Sequence, residues 1–321
     1  MKAEGLSGAS RLRSGERWLR RRLIEPDWPT VAVEIRPNAV SVVRLVRDGD
    51  RLALGAAASL DLPAGTLDVS LARTNVVDGA ALRKALASAF ERAGALSGGP
   101  VGLVIPDPAV RVALLPAAEV KGVRRSDVQQ MIRFRLSKAL PFDVRDAEVA
   151  WAGPVDGQVL VSAVFRPVLE GYESALADLG FDAGVVEPSS LALVGTLERA
   201  AAPGDRLLFN WDVGYVSIVL TRGGWPVLIR TLAGDLGADT VMREAANTVL
   251  YYRERLGGQG LVSAAVRSVL VPPEEAVTLL RGPLGLVPVI LDPWAPLGGG
   301  EGGSSAQALA SALACLLRSA V

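Results

Sequence analysis

The same order of predicted elements, three short apolar strands followed by a helix, occurs twice along the 321-residue chain. The elements of the first half are strands at 31–36, 39–46 and 51–60 and a helix from Asp78 to about Ala93. The elements of the second half are strands at 206–211, 215–221 and 226–232 and a helix from about Asp239 to Leu256. Short turns join the strands of each set, so each set predicts an antiparallel meander. The repetition predicts two similar α/β lobes related by internal duplication.

The composition excludes several classes of site. Lys and Arg together number 34, as do Asp and Glu, so the chain lacks the net positive charge expected of a nucleic-acid-binding protein. The absence of histidine excludes His-based catalytic triads and the usual imidazole metal sites. Cys315 is the single cysteine, which excludes an internal disulfide and fits a reducing compartment. No apolar run reaches the roughly 20 residues of a spanning helix, and no signal-peptide core follows the charged N-terminus, which predicts a cytoplasmic protein.

Residues 1–29 are predicted to form a basic extension that precedes the folded body. Its amphipathic segment contains Arg17, Trp18, Arg20, Arg21 and Arg22. Arginines beside an apolar face suit an anionic membrane surface or an acidic partner, and they suit a solvated arm equally well. We therefore expect either peripheral contact with a membrane or partner, or a free arm before the first lobe.

The segment between the two repeats predicts an inserted subdomain. The predicted first lobe spans residues 30–200, the second spans 201–321, and the insertion in the first lobe occupies about 107–184. The predicted elements of the insertion are a helix from Ser126 that ends before Pro141, strands at 147–152 and 158–165, and a helix at 167–179. An Ala- and Leu-rich C-terminal helix in the second lobe is expected to return and pack against the sheet of the first lobe.

Asp212 and Gly214 close the first strand of the second meander. A carboxylate and nearby backbone N–H groups at the rim of a sheet can hold phosphates or metal-bound waters. The same Asp-x-Gly pattern is common in tight β-turns, so both interpretations stand at this point.

Three stretches of the chain have the order and spacing of motifs found in one protein family. They are MIRFRLSKALPFDVRDAEVAW at 131–151, VVEPSSLALV at 185–194 and FNWDVGYVSIVLTRGGWPVLIRTLAGDLG at 209–237. These stretches resemble motifs of the type IV pilus assembly protein PilM family, within the actin-like ATPase superfamily. The resemblance implies a bilobal actin-like (ribonuclease H-like) α/β fold with a small α/β subdomain inserted in the first lobe.

The resemblance also implies a function. Members of this family are cytoplasmic components of the inner-membrane platform of type IV pilus machines, and they dock the short tail of a single-pass partner, PilN. For this chain it implies a scaffold of a type IV pilus or related secretion platform, peripheral at the inner membrane, that binds a PilN-like tail between the first lobe and the insertion. Other platform proteins and the assembly motor are further expected partners. Gln129, Arg133 and Arg135, on the predicted helix of the insertion, are candidate contacts for the tail.

The superfamily resemblance concerns a nucleotide cleft as well, since actin-like proteins hold Mg–ATP between two hairpins. The positions that it marks as cofactor-binding are Glu34, Asp212, Gly214, Gly234 and Gly237. Arg36 replaces the usual glycine of the first hairpin, Pro37 lacks an N–H, Tyr215 replaces a small residue, and residues 268–275 lack the glycine pair that lies against adenine.

These departures predict a vestigial cleft that has no bound ATP or magnesium and no catalytic residue. Arg36 is expected to fill this cleft or to pair with Asp212, and a role as a phosphate ligand is the alternative. Two alternatives stay open: an active actin-like ATPase that uses Asp212 with magnesium, and a filament-forming protein similar to FtsA.

Overall fold

The computed structural model describes residues 28–48, 51–120, 122–197, 204–298 and 304–317. Its strands are β1 Val31–Arg36, β2 Ala39–Asp48, β3 Arg51–Asp61, β4 Gly99–Ile105, β5 Val110–Pro116, β6 Ala147–Val155, β7 Gln158–Phe165, β8 Phe181–Pro188, β9 Asp205–Asp212, β10 Tyr215–Arg222, β11 Trp225–Ala233, β12 Leu261–Ser268 and β13 Val289–Ile290. Its helices are α1 Gly79–Arg92, α2 Arg125–Leu136, α3 Arg166–Ala177, α4 Ser189–Leu197, α5 Ala238–Arg255, α6 Pro273–Leu284 and α7 Ser304–Leu317. The amphipathic segment predicted in the N-terminal extension lies outside the described residues; its members are Arg17, Trp18, Arg20, Arg21 and Arg22.

The first lobe is built on a five-stranded sheet in the order β3-β2-β1-β4-β8. Strands β1, β2 and β3 form the antiparallel meander, and β4 and β8 run parallel to β1. Helices α1 and α3 cover one face of this sheet and share an apolar core with it. Helix α1 forms because Leu82, Leu86 and Phe90 recur at helical spacing on its buried face. Asp78 caps its first turn by accepting the N–H of Ala81 at 2.9 Å.

The second lobe repeats this arrangement with a sheet in the order β11-β10-β9-β12-β13. Strands β9, β10 and β11 form its antiparallel meander, and β12 and β13 run parallel to β9. Helices α5 and α6 pack on one face of this sheet. The prediction of two similar α/β lobes is confirmed, because both sheets have the same strand order and the same strand directions.

Helices α4 and α7 lie between the two sheets. Their apolar side chains share one core with residues of β1 and β2 from the first sheet and of β9, β10 and β12 from the second. Helix α7 approaches the first sheet closely because Gly102 on β4 has no side chain: a Cβ there would lie 2.7 Å from Cys315 Sγ. Trp28 Nε1 donates to the carbonyl oxygen of Cys315 at 3.1 Å, so the start of the described chain is tied to the same helix.

The inserted subdomain has a three-stranded antiparallel sheet in the order β5-β7-β6. Helix α2 packs on one face of this sheet, where Ile132 and Leu136 meet Val159 and Val161. The opposite face of the sheet is turned toward the first lobe, since Val164 belongs to the core of that lobe.

Five elements were not predicted: β5, β8, β12, α6 and β13. Four of them are strands with short apolar runs that lack the turn signals of the two meanders. Their pairing partners are also distant in sequence, so no local pattern marks them. In the ranges that the structure describes, no helix is both long enough and apolar enough to pass through a lipid bilayer.

Candidate functional site

The acidic residues of the two meanders meet between the lobes. Glu34 lies on β1 and Asp212 ends β9, so they come from equivalent strands of the two sheets. Arg267 on β12 lies between them: its Nη2 donates to Glu34 Oε1 at 3.0 Å and Oε2 at 3.1 Å, and its Nη1 donates to Asp212 Oδ2 at 2.8 Å. We call these three residues the interlobe ion cluster. One guanidinium therefore binds a carboxylate from each lobe.

Arg267 is completely buried, at 0% exposure, so its charge has to be balanced inside the protein. Its Nε donates to the carbonyl oxygen of Gln307 on α7 at 2.9 Å, and its Nη1 also donates to Asn210 Oδ1 at 2.8 Å. Burial lowers the pKa of Arg267, but the charges of Glu34 and Asp212 outweigh burial and raise the pKa above its usual value. Arg267 therefore stays protonated inside the protein, where it binds groups of both lobes and of α7.

Glu34 is held from the first-lobe side as well. The Ser189 hydroxyl, at the start of α4, donates to Glu34 Oε1 at 3.1 Å. Burial raises the pKa of the Glu34 carboxyl, and the positive charges of Arg267 and Arg36 oppose this rise. The charge of Arg267 thus favours the ionised form of Glu34, and loss of that charge would raise the pKa further.

A third buried acid adjoins the interlobe ion cluster. Asp107, which follows β4, accepts hydrogen bonds from the backbone N–H of Ser190 at 2.9 Å, from Asn210 Nδ2 at 3.2 Å and from the Ser190 hydroxyl. Burial raises the pKa of Asp107, and the hydrogen bonds from Ser190 oppose the rise. Asn210 Nδ2 also donates to Ser189 Oγ at 3.0 Å. One polar network therefore joins the root of the insertion, helix α4 and strand β9.

The residues at this position do not fit a magnesium nucleotide. Asp212 Oδ2 accepts from Arg267, and Asp212 Oδ1 accepts the N–H of Val213 at 2.8 Å. Both oxygens of Glu34 accept from Arg267. The side chain of Tyr215, beside the same turn, is also buried. A metal ion or phosphate between the lobes would have to displace a buried guanidinium from two carboxylates, which is unfavourable.

The three predicted glycines shape turns around this cleft. Gly214, with φ +76°, lies in the turn between β9 and β10. The N–H of Gly234 donates to the carbonyl oxygen of Gly214 at 2.8 Å, and Gly234 has φ +126°. Gly237 is the N-cap residue of α5. Positive φ explains the first two glycines through backbone conformation alone.

Of the alternatives given for Arg36, the ion pair with Asp212 does not form. Arg36 Nη2 instead donates to Ser59 Oγ on β3 at 3.2 Å. Arg267 takes the place of Arg36 beside Asp212 because β12 pairs with β9, where Arg267 lies in register with Asn210. Side chains alternate along a strand, so Asn210 and Asp212 point to the same face and Arg267 reaches both.

Sequence reasoning missed Arg267. This residue is 55 positions from Asp212 and 233 positions from Glu34, so no local motif contains all three. One signal was available: Arg267 is the only charged residue of the apolar segment LVSAAVRS. Two acids in buried strands require a nearby cation, and an arginine in an apolar strand is a candidate for it.

The candidate partner-binding residues lie on α2. Gln129 and Arg135 are exposed there, and Phe134 between them has 71% of its surface exposed. Arg133 instead has an intramolecular role, because its Nη1 donates to the carbonyl oxygens of Val144 at 2.7 Å and of Ala147 at 2.9 Å. Arg133 thus fixes the chain that enters β6.

A groove of about 480 Å³ separates the inserted subdomain from the first lobe. The face of the subdomain sheet opposite α2 forms one wall, which includes Ala150 and Val164. Helix α3 and strand β8 form the other wall, with Leu169 and Val186. Ile105 and other apolar residues are part of the same lining, so the groove can take apolar side chains.

Two strand edges border this groove. Among the described strands, β6 pairs with β7 alone and β8 pairs with β4 alone. Their outer edges therefore present backbone N–H and C=O groups that can bind another extended chain. An apolar groove beside an open strand edge is the geometry of peptide binding by strand addition.

No protein-family model matches the chain, and no curated protein matches its sequence. The solved structure of a PilM–PilN type IV pilus biogenesis complex is similar, with a TM-score of 0.74 and 19% identity, over 91% of this chain and 99% of that one. A Bacteroides thetaiotaomicron protein of unknown function with an actin-like ATPase fold has a TM-score of 0.50 and 10% identity, over 81% of this chain and 90% of that one. These likenesses concern the fold. The chain has the actin-like fold that its motifs implied.

Proposed function

We propose that this protein is a non-catalytic scaffold of a type IV pilus, or related secretion, assembly platform at the cytoplasmic side of the inner membrane. In this function it binds the cytoplasmic N-terminal tail of a PilN-like single-pass protein. One contrast carries the proposal: the protein's own guanidinium fills the cleft between the lobes, whereas the groove beside the inserted subdomain is open. Binding of a peptide, rather than of a nucleotide, is the chemistry that this arrangement allows.

The similar solved structure supports the choice of partner. It is described as a complex of PilM with PilN, and its likeness to this chain extends over nearly the full length of both. A partner of the same kind would have an extended tail that can pair with an edge of β6 or β8. The apolar side chains of that tail would enter the groove beside Leu169 and Val186.

Calorimetry with a synthetic tail tests the proposal. The peptide is the cytoplasmic N-terminus of a PilN-like single-pass protein from the same organism. It should bind the wild type, and Ala150→Trp, which fills the groove, should weaken binding about tenfold or more. Ala246→Trp, at an exposed position of α5, is the matched control and should bind as the wild type does. Equal binding to the Ala150→Trp variant, or no saturable heat with the wild type, would overturn the proposal.

The absence of catalysis has its own test. Titration of Mg–ATP should give no saturable heat, because Arg267 occupies both carboxylates that would face the metal. Saturable binding that Asp212→Ala abolishes would favour an actin-like ATPase instead.

We place the membrane contact of this scaffold in the basic extension before Trp28. The expected target is the anionic lipid surface of the inner membrane, which attracts arginine-rich segments. Deletion of residues 1–25 should release the protein from acidic vesicles, and binding of the full chain should weaken as salt rises. Unchanged vesicle binding after the deletion would contradict this assignment.

A further inference from the structure

The groove between the inserted subdomain and the first lobe has an unbalanced charge. Among the described residues that line it, four are glutamates and Arg166 is the one cation. Arg166 Nη1 pairs with Glu148 Oε1 at 3.1 Å, so the negative charge of Glu148 is compensated. Glu170 and Glu173, one turn apart on α3, have no cationic partner in the described part of the chain.

The burial of Glu173 makes this excess of negative charge unfavourable when the groove is empty. Glu173 is half-buried, while Glu170 beside it is exposed. Burial raises the pKa of the Glu173 carboxyl, and the negative charges of Glu170 and Glu148 raise it further. A positively charged side chain bound in the groove would relieve the repulsion between these carboxylates. The walls of the groove would shield that charge from solvent on one side.

The carboxylates lie close to the apolar lining. Leu169 directly precedes Glu170 on α3, and both residues line the groove. Val186 on β8 is part of the same lining. An occupant that matches this surface needs an apolar side chain for Leu169 and Val186 and a cation within one or two residues of it.

We infer that the tail bound in this groove carries an arginine or lysine next to its apolar anchors, and that Glu170 and Glu173 bind this basic side chain. The inference rests on the proposed function, since it names the chemistry of the tail that the groove selects. An acidic tail of equal hydropathy would be rejected, because it would add a negative charge beside Glu170 and Glu173.

The test compares three tail peptides and four proteins by calorimetry. One peptide has the natural tail sequence, in the second each basic residue is replaced by glutamine, and in the third each basic residue is replaced by glutamate. The proteins are the wild type, Glu170→Gln/Glu173→Gln, Glu173→Arg, and the control Glu91→Gln, which changes an exposed glutamate on α1. The double variant should bind the natural tail about tenfold more weakly, with less dependence on salt. The control should bind as the wild type does.

The outcomes separate the two proposals. The glutamine peptide should bind the wild type and the double variant equally weakly, and a tail with glutamate in place of its basic residue should recover affinity for Glu173→Arg. Equal affinity of the wild type for the natural and glutamine peptides would overturn the charge inference and leave the proposed function intact. Absence of binding to the wild type by every tail peptide, or equal binding of the natural tail to the wild type and to Ala150→Trp, would overturn both.

Discussion

Replacement of Arg267 by methionine tests the interlobe ion cluster directly. Methionine has a similar length but no charge, so Glu34 and Asp212 would stay buried without a cation between them. Removal of one partner of a buried ion pair costs about 3–5 kcal/mol of stability. The variant also loses the hydrogen bonds of Arg267 to Asn210 and Gln307. The free energy of unfolding should therefore fall by at least about 3 kcal/mol at neutral pH.

The loss of stability should depend on pH in a defined direction. Without Arg267, burial would raise the pKa of Glu34 further above its usual value. A carboxyl with a raised pKa in the folded state contributes stability that is complete below the pKa of the unfolded chain and is lost as pH rises through the folded-state pKa. The difference in the free energy of unfolding between wild type and Arg267→Met should therefore become smaller as pH is lowered from about 7.5 toward about 5.

Urea unfolding followed by tryptophan fluorescence measures both effects. Arg243→Met, which removes an exposed arginine from α5, is the matched control and should change stability by less than about 0.5 kcal/mol. A triple variant with Glu34→Gln, Asp212→Asn and Arg267→Met buries no charge at this position and should recover part of the loss.

Two results would refute the role of Arg267 as the balancing cation. One is a stability loss below about 1 kcal/mol in Arg267→Met, which is ordinary for a single substitution. The other is a loss that stays constant between the two ends of the pH range, because an uncompensated buried carboxyl has to titrate.

Three further predictions follow from other contacts. Gly102→Val places a side chain where a Cβ would lie 2.7 Å from Cys315 Sγ, so the free energy of unfolding should fall by about 1–3 kcal/mol. Thermal unfolding measures this loss, which Cys315→Ala should partly restore, and an unchanged melting temperature would contradict this packing. Tyr215→Phe removes a buried hydroxyl that has no hydrogen-bond partner among the described residues. Chemical unfolding should therefore show the same stability as the wild type or a gain of about 1 kcal/mol, and a clear loss would show that the hydroxyl has a partner. Hydrogen bonds from Arg222, including Nη2 to Oδ2 at 2.9 Å, lower the pKa of Asp205. Wild-type stability should therefore fall as pH drops below about 4, and an acid titration of Asp205→Asn should show a shallower fall, whereas equal slopes would count against the pair.

The sequence by itself determined the architecture of this protein. Meanders of alternating strands, each followed by a helix, predicted two similar lobes, and the sheets have the same strand order. The strands, turns and helices of the two lobes can be predicted from sequence because turn residues and the period of side-chain burial are local properties. The motif around Asp212 also led to the correct fold, and the replacements at Arg36 and Tyr215 marked the cleft as unusual.

Only the tertiary structure decided what occupies that cleft. The cation that binds Glu34 and Asp212 is Arg267, which becomes their neighbour because β12 pairs with β9 and the two lobes close on each other. Likewise Arg133, predicted as a partner contact, is bonded within its own subdomain. Pairing between distant strands is set by packing of the whole chain, and a buried charge is balanced by whichever opposite charge that packing brings within hydrogen-bond distance.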